Sequence, residues 1–97
     1  MEREELLKLI ESKEIIGVDL SGQRLEKIDF TGCRIERTSF KGCELVHCRF
    51  RNAEISWSDF RYAEIQHGTF EGAEVEFSDF YRAFIDGVVI FGGSSFY

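Results

Sequence analysis

The stretch "FRYAEIQHGTFEGAEVEFSDF", residues 60 to 80, places a phenylalanine at every tenth position and an aliphatic residue midway between each pair. A large apolar side chain therefore recurs every fifth residue. An α-helix turns about 100° per residue, so a step of five drifts around its axis. A flat β-strand alternates its side chains, so the same step would send successive apolar residues to opposite faces. The spacing excludes both a helix and a single flat sheet.

The five-residue step extends along most of the chain, which makes an internal repeat the first feature to explain. Large apolar residues occupy sixteen consecutive positions: Ile15, Leu20, Leu25, Phe30, Ile35, Phe40, Leu45, Phe50, Ile55, Phe60, Ile65, Phe70, Val75, Phe80, Ile85 and Ile90. We call each of these apolar residues the centre of its pentad. Two residues before the centre, from Cys33 to Ala83, the side chain is small. The remaining positions are mostly polar. A chain that turns a corner in every pentad keeps both apolar positions inside, so the pattern predicts a β-solenoid whose coils stack about 4.8 Å apart.

Units such as "AEISW", "AEIQH" and "AEVEF" resemble the pentapeptide-repeat family, and the resemblance covers residues 14 to 94. It implies an all-β fold, a right-handed quadrilateral β-helix of about four coils with one pentad on each side. The residue before the centre is often Glu here, whereas the family favours Asp or Asn. A coil of twenty residues predicts that Phe40, Phe60 and Phe80 stack in one column. It predicts Phe30, Phe50 and Phe70 in the opposite column.

Both ends of a solenoid expose core and must be covered. We predict that residues 1–13 form a capping helix, with Leu6, Leu7, Leu9 and Ile10 on its inner side, and that residues 14–97 form the β-helix. In the last coil the outward positions become apolar at Phe84, Val89, Phe91, Phe96 and Tyr97. This apolar end predicts a homodimer joined through the C-terminal coil, with a folded-back tail as the alternative.

Composition excludes several functions. The net charge of −6 argues against direct binding of nucleic acid. No stretch is long and apolar enough to span a membrane, and the acidic N-terminal segment does not resemble a signal peptide, so we expect no membrane association and a cytoplasmic protein. Cys33, Cys43 and Cys48 are expected to be buried and reduced. No catalytic arrangement or cofactor motif is present, so neither an enzyme nor a cofactor is predicted.

If residues twenty positions apart stack on one another in successive coils, each set of such residues forms a column along the solenoid. Arg37, Trp57, Phe77 and Tyr97 share one exposed corner, with the arginine able to lie over Trp57, and are the candidate interaction patch. The alternative is that these rings only stabilise the edge of the coil. His47 and His67 share another corner with Lys27 and Gly87. Two imidazoles without further ligands do not make a metal site, so we predict none.

A candidate acidic face consists of Glu44, Glu54, Asp59, Glu64, Glu74 and Asp79, which stack as like-charge pairs. It is either a solvated surface or a functional one. The resemblance implies the second possibility, because some family members use an acidic rod resembling duplex DNA to occupy type II topoisomerases. The sequence as a whole favours a non-catalytic scaffold or interaction module with an unidentified protein partner. A DNA mimic that binds gyrase is the alternative.

Overall fold

A computed structural model describes residues 1–88 and the backbone of residues 95–96. This part of the chain contains one helix and nine short strands: α1 (Arg3–Ser12), β1 (Glu14–Ile16), β2 (Arg24–Glu26), β3 (Arg34–Glu36), β4 (Glu44–Val46), β5 (Glu54–Ser56), β6 (Glu64–Gln66), β7 (Glu74–Glu76), β8 (Phe84–Asp86) and β9 (Ser95–Phe96). The strands are two or three residues long because the chain turns a corner in every pentad.

The strands form two parallel sheets on opposite sides of a four-sided solenoid. Strands β1, β3, β5, β7 and β9 pair in that order on side 1, and β2, β4, β6 and β8 pair on side 3. Single parallel bridges connect the coils on side 2, which carries residues 19, 39, 59 and 79, and on side 4, which carries residues 29, 49 and 69. Up to β8, each strand residue pairs with the residue twenty positions away. The predicted quadrilateral β-helix of about four coils is confirmed.

Phenylalanine rings fill the core from sides 2 and 4. The rings of Phe30 and Phe50 are parallel with centroids 4.6 Å apart, and Phe70 continues that column at 4.7 Å. The column from side 2 meets it edge to face, with Phe40 and Phe50 6.0 Å apart. The ring spacing matches the coil spacing, so each ring gains stacking energy beyond the burial of its area. Both predicted phenylalanine columns are confirmed.

The corners are of two kinds, and the residue before each centre explains the difference. After sides 2 and 4 the corner is a turn, as where the Ala63 N–H donates to the Phe60 carbonyl at 3.1 Å. Its third residue, here Tyr62, has positive φ, as a type II turn requires. The side chain before the centre accepts an N–H two residues later. Asp59 Oδ1 does so from Arg61 at 2.9 Å. Asp, Ser or Thr therefore occupies this position on sides 2 and 4, from residue 19 to residue 79, except at Arg49, while Glu, the departure from the family pattern, is common in the strands of sides 1 and 3.

The predicted N-terminal helix is confirmed. Leu6 is buried, and Leu9 and Ile10 pack against the core from a half-buried position. Leu7 was predicted on the same side but is 45% exposed. It follows Leu6 by one residue, and the turn of about 100° per residue carries it towards solvent. The helix ends at Ser12, and the following residue, Lys13, caps it by donating its N–H to the Ile10 carbonyl at 3.0 Å.

The predicted twenty-residue spacing is wrong in the last coil. Strand β9 pairs with β7 so that Ser95 lies opposite Glu74 and Phe96 opposite Val75, an offset of twenty-one. This register places Phe96 level with a core position, whereas the prediction placed it at an outward one. The predicted column that contains Phe77 and Tyr97 requires an offset of twenty. The offset of twenty-one between β7 and β9 therefore does not support it. Val89, Phe91 and Tyr97 lie outside the described residues.

Candidate interaction surfaces

Two aromatic side chains form a ridge on the corner between sides 1 and 2. Trp57 and Phe77 are 62% and 60% exposed, and their rings stack with centroids 4.7 Å apart and planes 16° from parallel. Both residues have a φ of 51°. A side chain in this left-handed conformation costs roughly 1–2 kcal/mol, whereas glycine adopts it freely and does so at Gly17, the same corner of the first coil. We call Trp57 and Phe77 the aromatic ridge.

Arg37 does not lie over Trp57 as predicted. Its guanidinium contacts the carboxylate of Glu36 at 2.9 Å, and the same carboxylate contacts Arg34 at 2.8 Å. Glu36 is the neighbouring residue, so its carboxylate competes for the guanidinium more strongly than a ring face does. Of the predicted patch, the structure brings together Trp57 and Phe77.

A second pair of exposed aromatic residues lies on side 2 and at its following corner. The rings of Tyr62 and Tyr81 meet edge to face at 5.9 Å. The guanidinium of Arg82 lies 5.5 Å from the Tyr81 ring centroid, and Arg82 Nε donates to the Tyr81 hydroxyl at 3.1 Å. We call Tyr62 and Tyr81 the tyrosine pair. Sequence reasoning missed it because the two residues are nineteen apart and belong to different columns. Two tyrosines nineteen residues apart, one at a corner (Tyr62) and one outward on the next coil (Tyr81), are the signal in the sequence that would have revealed it.

The predicted acidic face is not one face. Glu54 and Glu74 pair on side 1, Glu44 and Glu64 on side 3, and Asp59 and Asp79 on side 2. Sides 1 and 3 face opposite directions, because each pentad turns the chain by one corner. The six residues form three ladders of like charge.

Arginines relieve two of these ladders. Arg61 contacts Asp59 at 2.7 Å and approaches Asp79 at 4.0 Å, and its hydrogen bond lowers the pKa of the Asp59 carboxyl. Arg24 contacts Glu44 at 2.9 Å. On side 1, Glu54 and Glu74 have no cationic partner in the described part of the chain. Arg34, which lies opposite Glu54 in the strand pairing, contacts Glu36 instead.

A groove runs along side 4 and the corner before it. The groove, of about 520 Å³, is lined by Lys27, Asp29, His47, Arg49, His67 and Thr69, among others. The two imidazoles stack as predicted, with centroids 5.4 Å apart and planes 25° from parallel. Within residues 1–88 no group of three His, Cys, Asp or Glu side chains can hold a metal ion. The sequence drew attention to the histidines but missed Arg49, which reaches the groove from the next pentad.

All three cysteines are buried and unpaired. Cys43 Sγ donates to the Leu20 carbonyl at 2.8 Å, and burial raises the pKa of this thiol to about 11. Cys48 Sγ donates to the Leu25 carbonyl at 3.3 Å. The thiolate is the reactive form of cysteine, so Cys43 is inert at neutral pH.

The pentad periodicity and the fold agree with a comparison of the chain with known families. A family model described as "Pentapeptide repeat region" matches residues 14–88. The chain belongs to the pentapeptide-repeat family. A search for membrane spans found no helix among the described residues that is long and apolar enough to cross a bilayer.

Solved pentapeptide-repeat structures share the fold. A protein from the thylakoid lumen of Arabidopsis thaliana superposes with a TM-score of 0.61 and 26% identity over 84% of this chain and 61% of its own. HetL, involved in heterocyst differentiation regulation in Nostoc sp. strain PCC 7120, superposes with a TM-score of 0.61 and 17% identity over 79% of this chain and 38% of its own. This chain therefore spans about three-fifths and two-fifths of the two lengths.

More distant comparisons add no function. QnrB1, a plasmid-mediated fluoroquinolone resistance protein, aligns with a TM-score of 0.28 and 17% identity over 80% of this chain and 57% of its own, too low a similarity to support any inference. A comparison with curated proteins found no match.

Proposed function

We propose that this pentapeptide-repeat protein is a non-catalytic interaction module, and that the aromatic ridge is where it contacts a protein partner. The observation that carries this proposal is the exposure of Trp57 and Phe77 in register on one corner. Exposed aromatic residues are enriched at protein interfaces and at their energetic hot spots. The tyrosine pair lies on the same two coils, and the charged residues Asp59, Arg61 and Asp79 of side 2 stand between it and the ridge in the sequence of the coil.

Energetics indicate that the two rings of the ridge add little to the stability of the fold. Stacking of the two rings contributes about 0.5–1.5 kcal/mol. The left-handed backbone of two bulky residues costs roughly 1–2 kcal/mol at each. Relative to glycine the cost equals or exceeds the gain, although Arg37 and His47 adopt the same backbone conformation at other corners.

The charges beside the ridge indicate the chemistry of the partner. Glu76 precedes Phe77 on side 1, and Asp79 follows it on side 2. Neither carboxylate has a cation within 3.5 Å in the described part of the chain, and Asp79 is approached by Arg61 only at 4.0 Å. An interface that combines exposed rings with a carboxylate rim favours a partner with an apolar centre and Lys or Arg around it.

Affinity capture with matched variants tests the proposal. The wild-type protein is compared with a Trp57→Gly/Phe77→Gly variant and with a control, Leu7→Ala, which removes an exposed apolar side chain on α1, outside the repeat. We expect a protein captured by the wild type and by the control to be lost with the ridge variant. Identical captured proteins in all three experiments would contradict a binding role for the ridge.

A DNA mimic that binds a type II topoisomerase is the second candidate, and the unpaired Glu54 and Glu74 ladder is the observation that favours it. Charge density weighs against it. Duplex DNA carries one charge per about 1.7 Å, so a length equal to the 30 Å long axis of this protein carries roughly 18 charges. The net charge here is −6. If the protein inhibits gyrase supercoiling, Glu54→Gln/Glu74→Gln should relieve the inhibition, and an absence of any inhibition removes this candidate.

We also propose that the protein forms a homodimer through its C-terminal coil. In β8, Phe84 is 56% exposed, and Ile85, which belongs to a core column, is 47% exposed. The equivalent core residue one coil earlier, Ile65, is buried. Two such ends meeting about a two-fold axis would cover these side chains and close the exposed strand edge.

A further inference from the structure

We propose that the groove between side 4 and its preceding corner binds a hydroxylated phosphate monoester of the sugar phosphate class. We call it the basic groove. Its positive side chains are Lys27 and Arg49, with the imidazoles of His47 and His67 stacked beside them. These residues come from three successive coils, so the fold brings together side chains that are far apart in the sequence.

In the described part of the chain, the two cations of the basic groove have no carboxylate partner within 4.0 Å, whereas most arginines of the repeat do. The arginines that have a carboxylate within 4.0 Å are Arg24, Arg34, Arg37, Arg51 and Arg61. Lys27 and Arg49 have none among the described residues. The pKa of Asp29 is lowered by the hydrogen bond from Thr31 and also by the charge of Arg49. Lys27 and Arg49 line the same groove, so the groove holds two cations and one carboxylate. A phosphate is the anion that such an arrangement of Arg, Lys and His donors favours.

Asp29 determines what else the ligand must carry. It is the acidic residue among those named in the groove, and one of its oxygens accepts both the backbone N–H and the hydroxyl of Thr31. These hydrogen bonds lower the pKa of Asp29, so its carboxylate is charged at neutral pH. A charged carboxylate repels a bare anion but accepts hydrogen bonds from hydroxyl groups. Together with the hydroxyl of Thr69, it favours a phosphate attached to a polyol.

The size of the groove agrees with this class of ligand. Its volume of about 520 Å³ lies within the range of small-molecule sites, about 300–1,000 Å³, and exceeds what inorganic phosphate alone needs. A metal ion is a poorer fit, because zinc requires three or four protein ligands and the groove offers two stacked imidazoles. The site is separate from the aromatic ridge, which lies on the opposite corner of the coil.

Calorimetric titration with ribose 5-phosphate, inorganic phosphate and ribose tests the proposal. We expect ribose 5-phosphate to bind more tightly than inorganic phosphate and ribose not to bind. Lys27→Gln/Arg49→Gln should weaken the binding of ribose 5-phosphate by about tenfold or more. A matched control is Arg51→Gln, which removes one positive charge from side 4 at an arginine paired with Glu71 outside the groove. It should change the dissociation constant by less than about twofold.

Three outcomes would overturn the proposal. The first is no heat with ribose 5-phosphate at millimolar concentration. The second is an equal loss of binding in Arg51→Gln, which would show a general charge effect. The third is tighter binding of inorganic phosphate than of the sugar phosphate. Urea unfolding of each variant confirms that it is folded, and chemical shift changes of the His47 and His67 ring protons on adding ribose 5-phosphate would place the ligand in the groove.

Discussion

The rings of Phe40 and Phe60, twenty residues apart in the sequence, lie parallel with their centroids 4.6 Å apart. Phe60 also stacks on Phe80 at 4.7 Å and is fully buried. Replacing Phe60 with alanine removes a ring from the middle of the column and leaves a cavity, so we expect Phe60→Ala to lower the free energy of unfolding by about 3–5 kcal/mol. Urea unfolding followed by circular dichroism measures this loss.

Lys41→Ala is the control for this substitution. Lys41 follows Phe40 on side 2 and is exposed, so its removal should change the free energy of unfolding by less than about 0.5 kcal/mol. Equal shifts of the urea midpoint in Phe60→Ala and Lys41→Ala would contradict the assignment of inward and outward positions.

The solenoid could be predicted from the sequence because two positions of every pentad are buried, and burial restricts the size of their side chains. The uninterrupted run of apolar residues at every fifth position is the result. The stacking of Phe30 on Phe50, or of His47 on His67, followed from the same spacing. The offset between β7 and β9 could not be predicted from this pattern, because Ile90 continues the pentad spacing while the backbone pairs Phe96 with Val75.

The surface was less predictable, because it depends on contacts between adjacent columns. The Arg37 guanidinium contacts the carboxylate of Glu36, and this competition is not apparent from column spacing. The basic groove likewise joins a corner residue, His47, to an outward residue of the following side, Arg49. The net charge of −6 concealed it, because a sum over the chain does not report where unpaired cations gather.

Gly68 occupies a position where a side chain has no room. A Cβ there would lie 2.3 Å from the carbonyl oxygen of Cys48, which belongs to the backbone and cannot rotate away. We expect Gly68→Ala to cost at least about 2 kcal/mol of stability because the two coils must separate locally. The measurement is thermal or urea unfolding.

Gly22→Ala separates this steric effect from the effect of conformation. Gly22 has a φ of 72° and open space around it. Alanine there should therefore lower the stability only through the left-handed backbone conformation, by about 1–2 kcal/mol. A smaller loss in Gly68→Ala than in Gly22→Ala would show that the coils separate easily at Cys48.

The contact between Arg61 and Asp59 predicts a pH dependence of stability. The hydrogen bond from Arg61 lowers the folded-state pKa of Asp59 below its unfolded value. Its contribution is therefore fully present above the unfolded pKa, near pH 4, and is lost as the pH falls through the folded pKa. Wild type should lose stability between about pH 5 and about pH 2, and Asp59→Asn should lose less over that range. Parallel curves for the two proteins would show that Asp59 makes no such contribution.

The aromatic ridge should be nearly neutral for stability if it is retained for binding. Trp57→Gly/Phe77→Gly removes the stacking of the rings, worth about 0.5–1.5 kcal/mol, and relieves two left-handed side-chain residues at roughly 1–2 kcal/mol each. Glycine also raises the entropy of the unfolded chain, which offsets part of that relief. We expect the free energy of unfolding to change by less than about 1 kcal/mol. A loss of more than about 3 kcal/mol would support the alternative, that the rings stabilise the coil edge.

The proposed dimer can be tested with a substitution that the solenoid itself accommodates. Phe84 lies directly opposite Glu64 in the pairing of β6 with β8, and the same column already carries Arg24 beside Glu44. Phe84→Lys therefore gives Glu64 an opposite charge on the neighbouring strand, and the folded protomer should keep its stability. At a dimer interface the same lysine would replace an apolar side chain with a charged one that must lose its water, which opposes association. Multi-angle light scattering at micromolar concentration should show twice the monomer mass for the wild type and the monomer mass for Phe84→Lys. A wild-type protein that is already monomeric would mean that Phe84 and Ile85 are not covered by a second copy.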